Sequence, residues 1–257
     1  MQFNRCIGTL EIRGDVRAVL AGAVLLALLL NLGLWQLGRA EEKAALEARW
    51  QARSDLPAIA PRQLLETVAP EARADRQLEW RAELVDGGYL LLDNRLHRGR
   101  PGYHVVALAR DLEGGMLIPL NLGWLAGDPS RRTTPTPRLW EGPTIVTGRV
   151  YVPSTKPMMM QPQLPPDTLP AHVQTLYWEN WPTTLSLLTG TEVFPYEVRV
   201  SPDSPVALLA EWPVVNQSPA KHVGYAVQWF AMALVLMLIG LLRMTNVRAL
   251  IQRSSRA

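Results

Sequence analysis

The 257-residue chain has a single cysteine, Cys6, close to its start. Everything after it therefore folds without disulfides. It also offers no thiolate ligands for zinc or an iron–sulfur cluster. Histidine is scarce, with only His97, His104, His172 and His222. No Gly-x-Ser-x-Gly, His-Glu-x-x-His, phosphate-loop or dinucleotide-glycine pattern occurs. The usual routes to hydrolysis, metalloprotease chemistry and nucleotide use are absent, so the expectation is a protein that is not an enzyme.

Charge is missing from two particular places. Residues 18–38 and 222–242 contain no Asp, Glu, Lys or Arg. Each stretch has the roughly 20 residues that a helix needs to cross a ~30 Å hydrocarbon core. The first apolar run exceeds the 7–15 residues or so of a signal-peptide core, and Gly38-Arg39-Ala40 is a poor cleavage site, so the reading is an uncleaved anchor. Arg5, Arg13 and Arg17, against Glu11 and Asp15, precede the first span, and Arg243, Arg248, Arg253 and Arg256 lie in the last tail with no acid. Positive flanks stay in the cytoplasm. The division expected is a cytoplasmic tail 1–17, a transmembrane helix 18–38, an extracytoplasmic domain 39–221, a second span 222–242 and a basic cytoplasmic tail 243–257. The two tails carry +5 of formal charge against +3 for the whole chain. The pI near 9.2 is thus a mark of topology and gives no reason to expect nucleic acid.

Between the spans the periodicity is mostly that of strands. "RAEEKAALEARWQAR" continues the first span as helix, rich in Ala, Glu and Leu. Pro61 opens a short second helix in "PRQLLETVA". "QLEWRAELV" then alternates Leu78, Trp80, Ala82 and Leu84 against polar neighbours, as a half-buried strand does. Asp86-Gly87-Gly88 reads as a hairpin turn, with "YLLLDNR" as the return strand. "GYHVVALAR", "MLIPLNLGWL", "TIVTGRVYV" and "PYEVRV" complete about six strands, and Thr183–Thr189 forms one short helix stopped by Gly190. The fold class expected is two transmembrane helices flanking an extracytoplasmic, antiparallel β-rich α+β domain, a barrel or a sandwich. The proline-rich loop "STKPMMMQPQLPPDTLP" carries Met158, Met159 and Met160. These are either soft ligands for Cu(I) or a sticky surface docking on protein or lipid.

Four blocks fall in an order that resembles one family. They are "LGLWQLGRAEEK" (Leu32–Lys43), "DNRLHRGRPGYHVVAL" (Asp93–Leu108), "LNLGWL" (Leu120–Leu125) and "HVGYAVQWFAMA" (His222–Ala233). Together they are similar to the surfeit-locus, or Surf-one, family of cytochrome c oxidase assembly factors. Leu122 stands where that family usually has arginine. The resemblance implies a two-pass protein of a bacterial inner membrane, with its domain in the periplasm, or of the mitochondrial equivalent. It implies a role in assembling haem-copper oxidase, with haem a as cofactor. The partners it implies are oxidase subunit I, other assembly factors, a haem donor and the lipid bilayer.

On a helical wheel, the second span gathers His222, Trp229 and Tyr225 with Ala226, Ala233 and Gly240 on one face, and Val227 and Leu238 on the other. Imidazole is an axial ligand of haem iron, and flat aromatic rings suit a macrocycle at interface depth. His222 is therefore the expected metal ligand, with Tyr225 and Trp229 as further cofactor contacts and Lys221 near the haem propionates. Ligation takes the neutral imidazole, so acid should weaken it. The same pattern also suits an aromatic interface belt with a small-residue strip packing on Gly22 and Gly33 of the first span. His104 is a second candidate ligand, or a satisfied strand residue. Asn94, Arg95 and Tyr103 fit turn and sheet chemistry, with Gly102 allowing a bend. Trp35, Gln36 and Arg39 read as an interface anchor that adds to the rim of the cleft. A haem-free membrane scaffold that holds oxidase subunits is the alternative function.

Overall fold

The computed structural model describes residues 2–7, 10–153, 163–214 and 217–246. In chain order its elements are β1 (Gln2–Ile7), β2 (Leu10–Asp15), α1 (Val16–Ser54), α2 (Pro61–Thr67), β3 (Gln77–His97), β4 (Arg100–Asp111), β5 (Leu117–Ala126), β6 (Thr144–Tyr151), β7 (Ala171–Val173), α3 (Trp181–Thr189), β8 (Glu197–Val200) and α4 (Pro219–Met244). They fall into two units. One is Met1–Arg49 with Val214–Ala257, and the other is Trp50–Pro213.

The first unit is built on the apolar parts of α1 and α4. Leu29, Gly33 and Ala40 are the buried residues of α1, and Ala226 and Ala233 are those of α4. Their spacing of seven or so and its fractions keeps one narrow stripe in register along each helix. Gly33 is where the ring of Phe230 of α4 lies, in the space that the missing side chain leaves. The other faces remain apolar and uncovered, with Leu20, Val24, Leu28 and Leu34 exposed on α1 and Val227, Leu234 and Leu238 on α4. Water does not tolerate apolar surface on that scale. By length and composition both helices can cross a membrane, which fits a two-pass membrane protein. The N-terminal segment, expected only as a tail, forms the antiparallel hairpin β1–β2, which pairs Gln2 with Asp15 at its open end. Ile12 of β2 bridges to Thr245, and the Glu11 N–H donates to Oδ1 of Asn246 at 3.0 Å, tying the hairpin to the end of α4.

The second unit is a mixed sheet closed on itself. The strand order is β4-β5-β8-β6-β3-β7, and β4 also pairs with β3. Five strands thus make a barrel, and β7 adds to the far half of β3. The expected all-antiparallel meander is corrected in two places: β5–β8 and β3–β7 are parallel. Local turn signals report only neighbouring hairpins. These two strands arrive by long connections, whose pairing such signals do not carry.

The expected turn at Asp86-Gly87-Gly88 is also corrected. β3 runs through it without reversing. The register with β4 jumps from Leu84↔Ala109 to Tyr89↔Ala107, so several residues of β3 bulge against one of its partner. The bend lets the first half of β3 pair with β6 and the second with β7.

The barrel interior is packed by Leu78, Trp80, Val105, Ala107, Ile118, Leu120, Leu122, Val146, Val198 and Phe194, with Leu64 of α2 among them. A second apolar layer lies on the outer face, where Leu90, Val106, Leu108 and Leu117 meet Trp178, Trp181 and Leu185 of the α3 region. β4 sends Val105 and Ala107 inward and Val106 and Leu108 outward. That double burial is why its sequence reads as a continuous apolar run instead of an alternating one. Leu122 is 1% exposed in the inner core, a place where a guanidinium would have no solvent. α2 and α3 start with Pro in their first turns, and α3 ends at Gly190, as expected.

Candidate functional site

The helix unit brings together two residues from its two apolar helices. The His222 Nδ1–H donates to Oε1 of Gln36 at 2.8 Å. This contact holds the ring plane, and in the neutral ring with its proton on Nδ1 it leaves Nε2 with its lone pair as the atom able to bind a ligand. Trp229 is half-buried on the same face, one turn beyond Tyr225, which is 46% exposed. The small residues of that face are already used: Ala226 and Ala233 are each 1% exposed. Lys221 is exposed at the head of α4. Of the anchor residues at the end of the first span, Trp35 is exposed and Arg39 pairs with Glu42, so Gln36 alone of the three meets the histidine.

The β unit holds a separate cavity of about 420 Å³ on the outer face of the barrel. Strand geometry selects its lining. Val198 and Val200 of β8 point into the core, so Glu197 and Arg199 point outward. By the same period, β5 turns Asn121 outward between Leu120 and Leu122, β4 turns out His104 and β6 turns out Tyr151. Arg95, beside the second irregularity of β3, joins them, and the segment Gln174–Tyr177 after β7 forms the opposite wall.

Within this cavity Glu197 is 3% exposed, yet both its oxygens are satisfied. Asn121 Nδ2 donates to one at 2.8 Å and the Tyr177 hydroxyl to the other at 2.9 Å. Burial first, and then the neighbouring carboxylate, push the Tyr177 phenol far above its ordinary range, so it stays protonated as a donor. Arg199 lies against two rings, with its guanidinium carbon 3.4 Å from the centre of Tyr151 and 4.9 Å from that of Trp212. The Trp212 ring also meets His104 edge-on at 5.4 Å. Burial, then Arg95, then Arg199 lower the His104 imidazole to about 4, so it is neutral at physiological pH.

Trp124 fixes Arg95 by donating its Nε1–H to the Arg95 carbonyl at 2.9 Å. The indole reaches that position because Gly102 has no side chain: a Cβ there would stand 2.5 Å from it. Gly102 therefore serves close packing.

Asn94, Arg95, His104 and Asn121, drawn from two separated sequence blocks, thus line one cavity. Tyr103 lies outside it and meets the ring of His172 at 5.5 Å. His97 stacks near Trp124 and sits 3.7 Å from Glu211. Sequence reasoning passed over Glu197, Arg199, Tyr151 and Tyr177. The alternation of "PYEVRV" marks Glu197 and Arg199 as outward-facing, but nothing local marks that this face is covered. Met158–Met160 lie outside the described residues. No group of three or more His, Cys, Asp and Glu able to hold a metal occurs among the described residues.

Compared with known proteins, the chain matches the model of the SURF1 family over residues 23–234. No curated protein matches it.

Proposed function

The chain belongs to the SURF1 family, which is associated with cytochrome oxidase assembly, and from that premise we propose that it is a two-pass assembly factor for haem-copper oxidase that holds haem a at His222. In this reading the β unit is extracytoplasmic and both termini are cytoplasmic. The recipient is oxidase subunit I, approached together with other assembly factors and a haem donor. The single observation that carries the haem assignment is the 2.8 Å bond from His222 to Gln36. An imidazole whose one nitrogen is held by a carbonyl-type oxygen presents the other as a ready ligand. When bound, haem a would supply an iron centre able to take an imidazole ligand. His222 would be that ligand, Trp229 and Tyr225 would offer ring contact, and Lys221 would meet the propionates.

A second reading, a haem-free scaffold for oxidase subunits, draws on the burial of Ala226 and Ala233. It needs those residues only for helix packing. The test is optical. The protein is expressed alongside haem a synthesis and purified in detergent, and its visible spectrum is compared with that of His222→Ala. A Soret band that disappears in the variant supports ligation. A colourless wild-type protein supports the scaffold.

A further inference from the structure

We propose that the outer-face cavity of the β unit binds a small organic carboxylate, with the guanidinium edge of Arg199 as its main donor and Arg95 beside it.

Arg199 carries the argument. Tyr151 and Trp212 hold its plane through their ring faces, which leaves the N–H edge as the polar part of the group. That edge has no hydrogen-bond acceptor among the described residues. Nε is shielded without a hydrogen-bond acceptor, while the side chain stays 24% exposed and its terminal nitrogens remain open to a ligand; a pre-oriented fork of donors is the shape that takes a carboxylate in two parallel bonds. The nearest internal acid does not fill this role. Glu197 Oε1 forms an ion pair with Arg199 Nε at 3.7 Å, which offsets part of the charge but is too long for a hydrogen bond. Its two oxygens are already taken by Asn121 and Tyr177.

The surroundings favour an acid with an organic body. Arg95 has a second buried Nε without an acceptor, while its terminal nitrogen donates to the Gln174 carbonyl at 3.1 Å. The two guanidiniums together make the potential at His104 positive, and this adds to burial in keeping that imidazole neutral. Asp93 is the other acid of the lining, and its Oδ1 accepts from the Asn94 N–H at 2.7 Å. Leu92, Leu176 and Pro153 supply apolar wall. A volume of about 420 Å³ is that of a small-molecule site, within the roughly 300–1,000 Å³ such sites span.

The test is isothermal titration of the full-length protein in detergent with acetate, succinate and benzoate. Benzamide and inorganic phosphate are titrated in parallel, and protein-free micelles give the baseline. At least one carboxylate is expected to bind, with benzamide and phosphate at least ~10-fold weaker. Arg199→Lys keeps the charge and loses the fork, and should weaken that carboxylate by ~10-fold or more. Arg199→Gln should abolish binding. If Arg199→Gln does not fold, Arg95→Gln replaces it, and its expected effect is a loss of several-fold. No heat from any carboxylate at about 10 mM, phosphate binding in preference to the acids, or equal binding by Arg199→Lys and wild type would each overturn the assignment.

Discussion

His222 and Gln36 meet across two apolar helices, imidazole Nδ1 to amide oxygen, at 2.8 Å. They lie 186 positions apart in sequence. The bond holds the ring plane, and with the proton on Nδ1 it leaves Nε2 free. If His222 ligates haem, Gln36 is a positioning residue. Gln36→Leu, similar in bulk and without the oxygen, should weaken haem binding by ~10–100-fold, the usual cost of losing such a support. The check is a haem titration followed at the Soret band, with circular dichroism to show that the helices persist. Unchanged affinity in Gln36→Leu would remove the support role and leave the histidine to stand alone.

His104 gives the β unit a defined pH dependence. Burial, with Arg95 and Arg199 nearby, lowers its imidazole from 6.5 to about 4. The unfolded chain therefore takes up a proton below about pH 6.5 that the fold refuses until about pH 4. The contribution is complete above pH 6.5 and is lost as the pH falls through this window, to a total of up to about 3 kcal/mol. Thermal unfolding followed by tryptophan fluorescence between pH 7 and pH 4 should show the fall. His104→Gln should flatten that part of the curve. A wild-type midpoint that stays level from pH 6.5 to 4.5 would contradict it.

What was legible in the sequence follows from which physics is local. The charge-free stretches gave two helices of spanning length, and the 3.6-residue period put His222, Ala226, Trp229 and Ala233 on one face. The alternation of Leu78, Trp80 and Ala82 gave a true strand. The Asp86-Gly87-Gly88 segment misled because turn composition is shared by bulges, and only the partner's register separates the two. Arg199 was passed over for a related reason. Its outward direction is written in "EVRV", but the cover that Tyr177 and Trp212 provide comes from distant segments. The cavity is a product of topology, and a single sequence shows its residues without showing that they meet.

Glu197 is buried as a carboxylate and depends on its two donors. Tyr177→Phe removes one and leaves an oxygen without a partner, a loss of about 1–3 kcal/mol. Glu197→Gln in the same chain should recover part of that loss, because the amide no longer demands the donor a carboxylate does. Chemical denaturation of the single and double variants measures the coupling. Strict additivity between the two would show that the hydroxyl and the carboxylate act independently.

Gly123 tests the closure of the barrel core most sharply. Its backbone has φ near +108°, where an L side chain is strained. A Cβ there would also stand 2.5 Å from the Leu209 carbonyl oxygen. That oxygen is fixed because it accepts from the Trp124 N–H at 2.9 Å, and the Leu208 N–H donates to the Leu122 carbonyl at 2.8 Å beside it. Since the obstacle is backbone, it cannot swing aside as a side chain would. Gly123→Ala should therefore cost about 3 kcal/mol or more, from the strained conformation and from the broken pairing together. The indole of Trp124 would shift with its own N–H, loosening its bond to the Arg95 carbonyl. The variant should thus lose carboxylate binding in the cavity as well as stability. Denaturation gives the first quantity and titration with the binding acid gives the second. A Gly123→Ala protein within about 0.5 kcal/mol of wild type, the range of a neutral surface change, would show that this strand edge yields far more easily than its hydrogen bonds imply.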